Sequence, residues 1–161
     1  MNFKKLAQFV SSMSFVVLLA AQAFAAIEVE SNLLSKLQMT SGANYVVETN
    51  KDYVLMYFWA TWCPDCKEKL KGPIKEANDL KNMSLVIVNT EKDKNMVANF
   101  LERENIKLPV FMDLEKEVRK SLKVFSVPQW ALLKKNKEKF ELVATEVEFD
   151  LQKIKTLIGK N

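Results

Sequence analysis

Cys63 and Cys66 are the only two cysteines among 161 residues, and they stand two residues apart in Trp62-Cys63-Pro64-Asp65-Cys66. Thiols at that spacing can close a small disulfide across the first turn of a helix. Pro64 and Asp65 suit such a turn, because proline gives up no needed donor there and a carboxylate complements the positive end of the helix dipole. A cysteine at a helix start has its thiolate stabilised by free backbone N–H groups, which makes it a nucleophile near neutral pH. The predicted chemistry is thiol–disulfide exchange, with Cys63 and Cys66 as the catalytic, redox-active pair.

Two blander readings compete. A structural bridge usually joins distant segments, and a four-residue loop constrains the unfolded chain little. A zinc site needs four ligands; the motif supplies two, and the chain has no histidine and no third cysteine. Only carboxylates or a second chain could complete it. No metal is expected, and thiol exchange requires no cofactor.

The compartment bears on the same question. Residues 1–25 have the layout of an export signal: Lys4 and Lys5, then the apolar Phe15-Val-Val-Leu-Leu-Ala-Ala21, then the small-x-small pattern Ala23-Phe24-Ala25. Cleavage after Ala25 would leave 26–161 as one domain. The apolar stretch is short and interrupted by Gln8, Ser11, Ser12 and Ser14, so an uncleaved membrane anchor is the lesser alternative. The expected location is a bacterial periplasm. Net charge is +4, and half of that excess goes with Lys4 and Lys5. The lysines elsewhere are interleaved with acids, as in Lys67-Glu68-Lys69, which is a solvated surface rather than a nucleic-acid footprint.

The elements that must hold the motif are readable from pattern. Val54-Leu-Met-Tyr-Phe-Trp-Ala60 is an unbroken apolar run, a buried strand leading into Cys63. A helix over about 64–80 follows, which Gly72-Pro73 must kink or interrupt. Leu85 to Asn89 reads as a second interior strand. A helix over Asp93–Glu104 and a short extended segment Leu108–Met112 come next. Asp113 is placed to cap a helix running to about Leu122. Strand Trp130–Leu133, a lysine-rich turn over 134–139 and strand Phe140–Ala144 form a hairpin, and Phe149–Ile158 is amphipathic at helical spacing. Before the motif, Ser31–Met39 suggests a short helix and Tyr45–Val47 a short strand. This order is that of an α/β layered domain with a mixed sheet.

Phe58-Trp59-Ala60-Thr61-Trp62-Cys63-Pro64-Asp65-Cys66 after the first core strand, together with Ser126-Val127-Pro128 opening the later hairpin, resembles the thioredoxin superfamily over about residues 50–160. Within it the chain looks like the TlpA/ResA-type extracytoplasmic thiol–disulfide oxidoreductases, whose helix–strand insertion the segment 93–112 resembles. The resemblance implies a thioredoxin-like fold, a central mixed sheet flanked by helices, with that insertion. It also implies a cis peptide before Pro128, packed beside the disulfide and turning the Val127 backbone toward an extended substrate. Trp62 and Pro64 would flank that substrate, Trp59 would pack inside, and Trp130 is more a core residue than a contact.

Three positions depart from the family pattern. Tyr57 stands where thioredoxins carry a buried aspartate. Lys69 stands where several TlpA/ResA-type proteins have a glutamate, with Glu68 one place earlier as a weak candidate proton relay. The helix proline comes two positions late, at Pro73. The resemblance leans toward a reductase of protein disulfides, re-reduced by a membrane or periplasmic thiol donor and serving cytochrome c maturation. A disulfide oxidant or isomerase, or a passive peptide-binding module, are the alternatives. Asp65 leans the same way: at ~7 Å and an effective dielectric of ~20–80 its charge opposes a Cys63 thiolate by about 0.6–2.4 kcal/mol. Nothing in the sequence demands more than a monomer.

Overall fold

The computed structural model describes residues 27–41, 47 and 50–159. The proposed export signal and the strand expected at Tyr45–Val47 lie largely outside the described residues. Among the latter, no helix is long and apolar enough to cross a membrane.

A seven-stranded mixed sheet is built around β3 (Tyr53–Trp59). Every residue of β3 is buried, which explains why its sequence shows no polar alternation: it has parallel β4 (Met83–Asn89) on one side, antiparallel β6 (Gln129–Asn136) on the other, and both faces covered. Beyond β4 lie β5 (Val110–Met112) and the two-residue β2 (Gln38–Met39); beyond β6 lie β7 (Lys139–Glu146) and β1 (Glu28–Glu30). Successive side chains of β3 alternate between two cores. Tyr53, Leu55, Tyr57 and Trp59 pack with residues of α1 (Pro64–Lys71), α2 (Pro73–Ala77), α3 (Lys94–Arg103) and α5 (Leu151–Ile158). Val54, Met56 and Phe58 pack on the opposite face with Leu34, Phe140 and Val118 of α4 (Glu117–Ser121).

The helix after the motif is interrupted at Gly72-Pro73 as expected, because Gly72 N–H closes α1 on the Glu68 carbonyl at 3.1 Å and Pro73 has no N–H with which to continue it. Several other elements differ from the sequence-based expectation for identifiable reasons. The short helix expected over 31–39 is a 3-10 helix confined to Ser31–Lys36, and after Leu37 the chain enters β2. The lysine-rich hairpin turn is tighter than expected: β6 and β7 stay paired out to Asn136 and Lys139, and Lys137 takes a left-handed φ of 55°. The helix expected from Asp113 begins only at Glu117, since residues 113–116 form a turn in which Lys116 N–H meets the Asp113 carbonyl at 3.1 Å. The Asp113 side chain reaches across that turn and accepts from Val118 N and Arg119 N at 3.3 and 2.9 Å, satisfying two free donors of α4 while itself buried. Asp93 and Asp150 do the same for α3 and α5.

Candidate active site

The motif sits where β3 ends and α1 begins. Cys63 and Cys66 form a disulfide with sulfurs 2.02 Å apart and Cα atoms 5.3 Å apart. Cys63 is the N-cap of α1, and its Sγ accepts from Cys66 N–H at 3.2 Å. The helix start therefore aims a backbone donor at the first sulfur, the arrangement that stabilises a thiolate once the bond is opened. The two residues differ in access: Cys66 is fully buried and Cys63 is 5% exposed. Pro64 and Asp65 are exposed on the first turn.

Two loops wall the disulfide, and each is tied down by one polar side chain. Glu91 holds the loop that delivers Cys63. Its carboxylate accepts from Thr61 N and Thr61 Oγ1, both at 2.7 Å, and from Asn89 Nδ2 at 3.0 Å, while its own N–H donates to Asn89 Oδ1 at 2.8 Å. Asn89 is fully buried at the end of β4. Gln129 holds the second loop. Its Oε1 accepts from Phe125 N, Ser126 N and Ser126 Oγ at 3.1–3.3 Å, and its Nε2 donates to Thr145 Oγ1 at 3.0 Å. Between them these bonds fix the backbone on either side of Val127-Pro128, whose peptide bond is cis. Val127 and Pro128 are half-buried, and Trp62 stands out at 69% exposure.

Glu91→Ala should leave the Thr61 N–H and the Asn89 amide short of an acceptor. The expected loss is about 1–3 kcal/mol in denaturant unfolding, with a slower thiol exchange rate, and Glu91→Gln should recover part of both because one amide oxygen can still accept. A Glu91→Ala protein with wild-type stability and exchange would show that the bonds hold nothing in place.

The core beneath the motif contains the departures seen in the sequence. Tyr57 is fully buried, and its hydroxyl has no hydrogen-bond partner among the described residues. Burial pushes its pKa up, and the charge of Asp65 adds to the shift, so the phenol stays protonated and cannot act as a base. Phe149 meets its ring edge-on at 5.8 Å. Trp59 is buried against Phe100, with ring centroids 5.5 Å apart. Trp130 is core, its indole N–H donating to the Glu148 carbonyl at 2.6 Å. Glu68 is exposed, two residues after the fully buried Cys66. Positions two apart on a helix do not face each other, so Glu68, the weak candidate for a proton relay, makes no direct approach to Cys66 along α1. Among the described residues, no group of three or more His, Cys, Asp or Glu side chains could hold a metal ion.

Sequence reasoning named the cysteines, Trp62, Pro64, Val127 and Pro128, and the structure brings all six to one end of the sheet. It missed Glu91, Asn89 and Gln129. The polar Asn89 ending an apolar strand and Gln129 between Pro128 and Trp130 were the available signals, since a polar residue inside a core element must find partners.

A mixed sheet flanked by helices, with a CxxC disulfide at the first helix and a cis-proline loop opposite, defines a thioredoxin-like protein. Residues 28–143 match the AhpC/TSA family, and the chain belongs to it. Among curated relatives it is similar to sporulation thiol-disulfide oxidoreductase A of Bacillus subtilis, with 22% identity over 69% of this chain and 68% of that one. It is also similar to thiol-disulfide oxidoreductase ResA of Oceanobacillus iheyensis, with 29% identity over 60% of this chain and 52% of that one. The chain thus spans about half the length of that ResA relative. Among solved structures, StoA from Bacillus subtilis superposes with a TM-score of 0.61 at 21% identity, covering 76% of this chain and 93% of that one. The exposed lipoprotein thioredoxin Etrx1 of Streptococcus pneumoniae gives 0.62 at 25%, covering 76% and 96%. Fold, disulfide and relatives place the chain in the thiol–disulfide oxidoreductase class.

Proposed function

We propose that this protein is an exported reductase of protein disulfides, acting through Cys63 and Cys66. The observation that carries the reading is the asymmetry of the pair: the sulfur that receives a helix N–H belongs to Cys63, the residue of the two that keeps some exposure, while Cys66 keeps none. In the reduced protein the Cys63 thiolate attacks one sulfur of a substrate disulfide. A Cys63–substrate bond forms, the substrate S–S bond breaks, and the first substrate thiolate departs. Cys66, deprotonated, then attacks the Cys63 sulfur and displaces the second substrate thiolate. Two electrons pass to the substrate and the Cys63–Cys66 disulfide is left. A thiol donor in the membrane or periplasm must restore the pair, because the chain has no third cysteine to relay the electrons.

Neither Tyr57, which stays protonated, nor Glu68, which is exposed, is placed to accept the Cys66 proton. Water at the mouth of the site, or the leaving substrate thiolate, takes that role. The half-buried Val127 and Pro128 and the exposed Trp62 and Pro64 form the surface along which an extended substrate lies. Residues 1–25 direct export, 26–161 form the catalytic domain, the protein acts as a monomer, and an apocytochrome c disulfide is a substrate of the right kind.

Equilibration with glutathione or dithiothreitol buffers tests the direction. A reduction potential below about −200 mV is expected for a reductase, whereas one near about −120 mV would make the protein a disulfide oxidant.

A further inference from the structure

Beside Val127 the surface dips into a pocket of about 110 Å³ lined by Trp62, Thr90, Arg119, Val124, Phe125 and Val127. Three features set it apart from an ordinary dent. Phe125 is 86% exposed, and with Trp62 at 69% it gives the pocket two large aromatic faces in water. Apolar groups of that size held at the surface next to a reactive centre mark a contact surface. Phe125 is held there, because its N–H and that of Ser126 are bound by the Gln129 side chain. The third feature is Arg119. It lies half-buried in the lining, and its guanidinium forms no ion pair among the described residues. Its backbone is anchored by the buried Asp113 carboxylate.

The surrounding charge favours an anion. Lys116 precedes α4, Lys120 lies on it and Lys123 just after it, and of the nearby acids Glu117 is paired with Lys36 and Glu91 is engaged by Thr61 and Asn89. Glu115 and Asp65 are exposed, where solvent screens them.

We propose that this pocket selects substrates, taking a carboxylate side chain that neighbours the substrate cysteine while the flanking residues lie against Trp62 and Phe125. Arg119 supplies a planar, paired-donor fork suited to a carboxylate, and the aromatic faces supply apolar contact on either side. The inference rests on the substrate-facing role assigned to this end of the molecule, but binding can be read without any redox step.

The test uses the disulfide form of the full chain and acetylated, amidated heptapeptides in which serine replaces the cysteine and Glu, Gln or Lys stands beside it. Affinities are read by calorimetry at low and high salt. The Glu peptide should bind about fivefold or more tighter than the Lys peptide at low salt. Arg119→Gln should bring the Glu peptide to the level of the Gln peptide. Phe125→Ser should weaken all three alike, and Lys155→Gln, on α5 across the sheet, should leave the ranking unchanged. Equal affinities for the three peptides, or a ranking that survives Arg119→Gln, would overturn the proposal. Reduction of 2-hydroxyethyl disulfide by the reduced wild-type protein is measured alongside; its failure would remove the exchange reading, while the peptide ranking would still decide the pocket.

Discussion

Cys63→Ser should lose disulfide reduction by on the order of 10³-fold or more, because it removes the sulfur that forms the covalent intermediate and no second thiol has a path to solvent. Cys66→Ser should behave differently. Cys63 can still attack a substrate disulfide, but nothing is left to resolve the adduct, so a mixed disulfide should accumulate. It would appear as a substrate-sized mass increase that vanishes on reduction. The same asymmetry predicts alkylation rates: in the reduced wild type Cys63 should react well ahead of Cys66, since one is the N-cap sulfur that receives a backbone N–H and the other is enclosed by core residues. Equal residual turnover in the two variants, with no trapped species in either, would remove the two-step exchange altogether. Neither substitution should unfold the domain, because the four-residue bridge constrains the unfolded chain little.

How much of this was legible in advance depends on the range of the interactions. The motif and β3 are local statements: an apolar run of seven buried residues and two thiols on one helical turn are visible in fourteen consecutive positions, Tyr53 to Cys66. The break after Lys71 was visible as well, because Gly72-Pro73 carries its own steric rule. The edges of the sheet were not. β1 is three residues whose only reason to be a strand is its pairing with β7, more than a hundred residues away. β2 exists because Gln38 and Met39 meet Met112 and Phe111. The extension of the hairpin to Asn136 and Lys139 likewise follows from pairing, which overrides the turn preference of a lysine-rich stretch.

The site divides along the same line. The cysteines and the residues proposed to touch substrate belong to recognisable spacings, whereas those that hold them do not. Glu91 sits in Glu91-Lys92-Asp93-Lys94, a run that reads as solvated charge, yet its carboxylate carries the loop before Cys63. Gln129 binds backbone three and four residues upstream and a threonine sixteen residues downstream, on a neighbouring strand. Such partners are set only when β6 and β7 are in register. Tyr57 is the converse case: the position was conspicuous in the sequence, and the structure supplies its consequence, a buried phenol whose raised pKa removes it from proton transfer.

The largest loss of stability is expected at Trp130, where the sheet, the core beneath the motif and the cis-proline loop meet. Its side chain is fully buried in the core that also contains Tyr57 and Cys66. Its backbone pairs with Tyr57 on one side and Glu146 on the other. Trp130→Ala removes the whole indole, for which a cost of about 3–5 kcal/mol is expected from lost burial and the residual cavity. The Glu148 carbonyl also loses its donor, but Glu148 is exposed, so water can replace that bond and the cavity dominates. Domain stabilities are about 5–15 kcal/mol, so urea unfolding should show a midpoint shifted far down and a population partly unfolded at growth temperature. Trp130→Phe keeps most of the volume and should cost well under half as much. The pair separates packing from hydrogen bonding: if the phenylalanine variant fell as far as the alanine one, the indole N–H and not the bulk of the ring would be what secures β6 beneath the cis-proline loop.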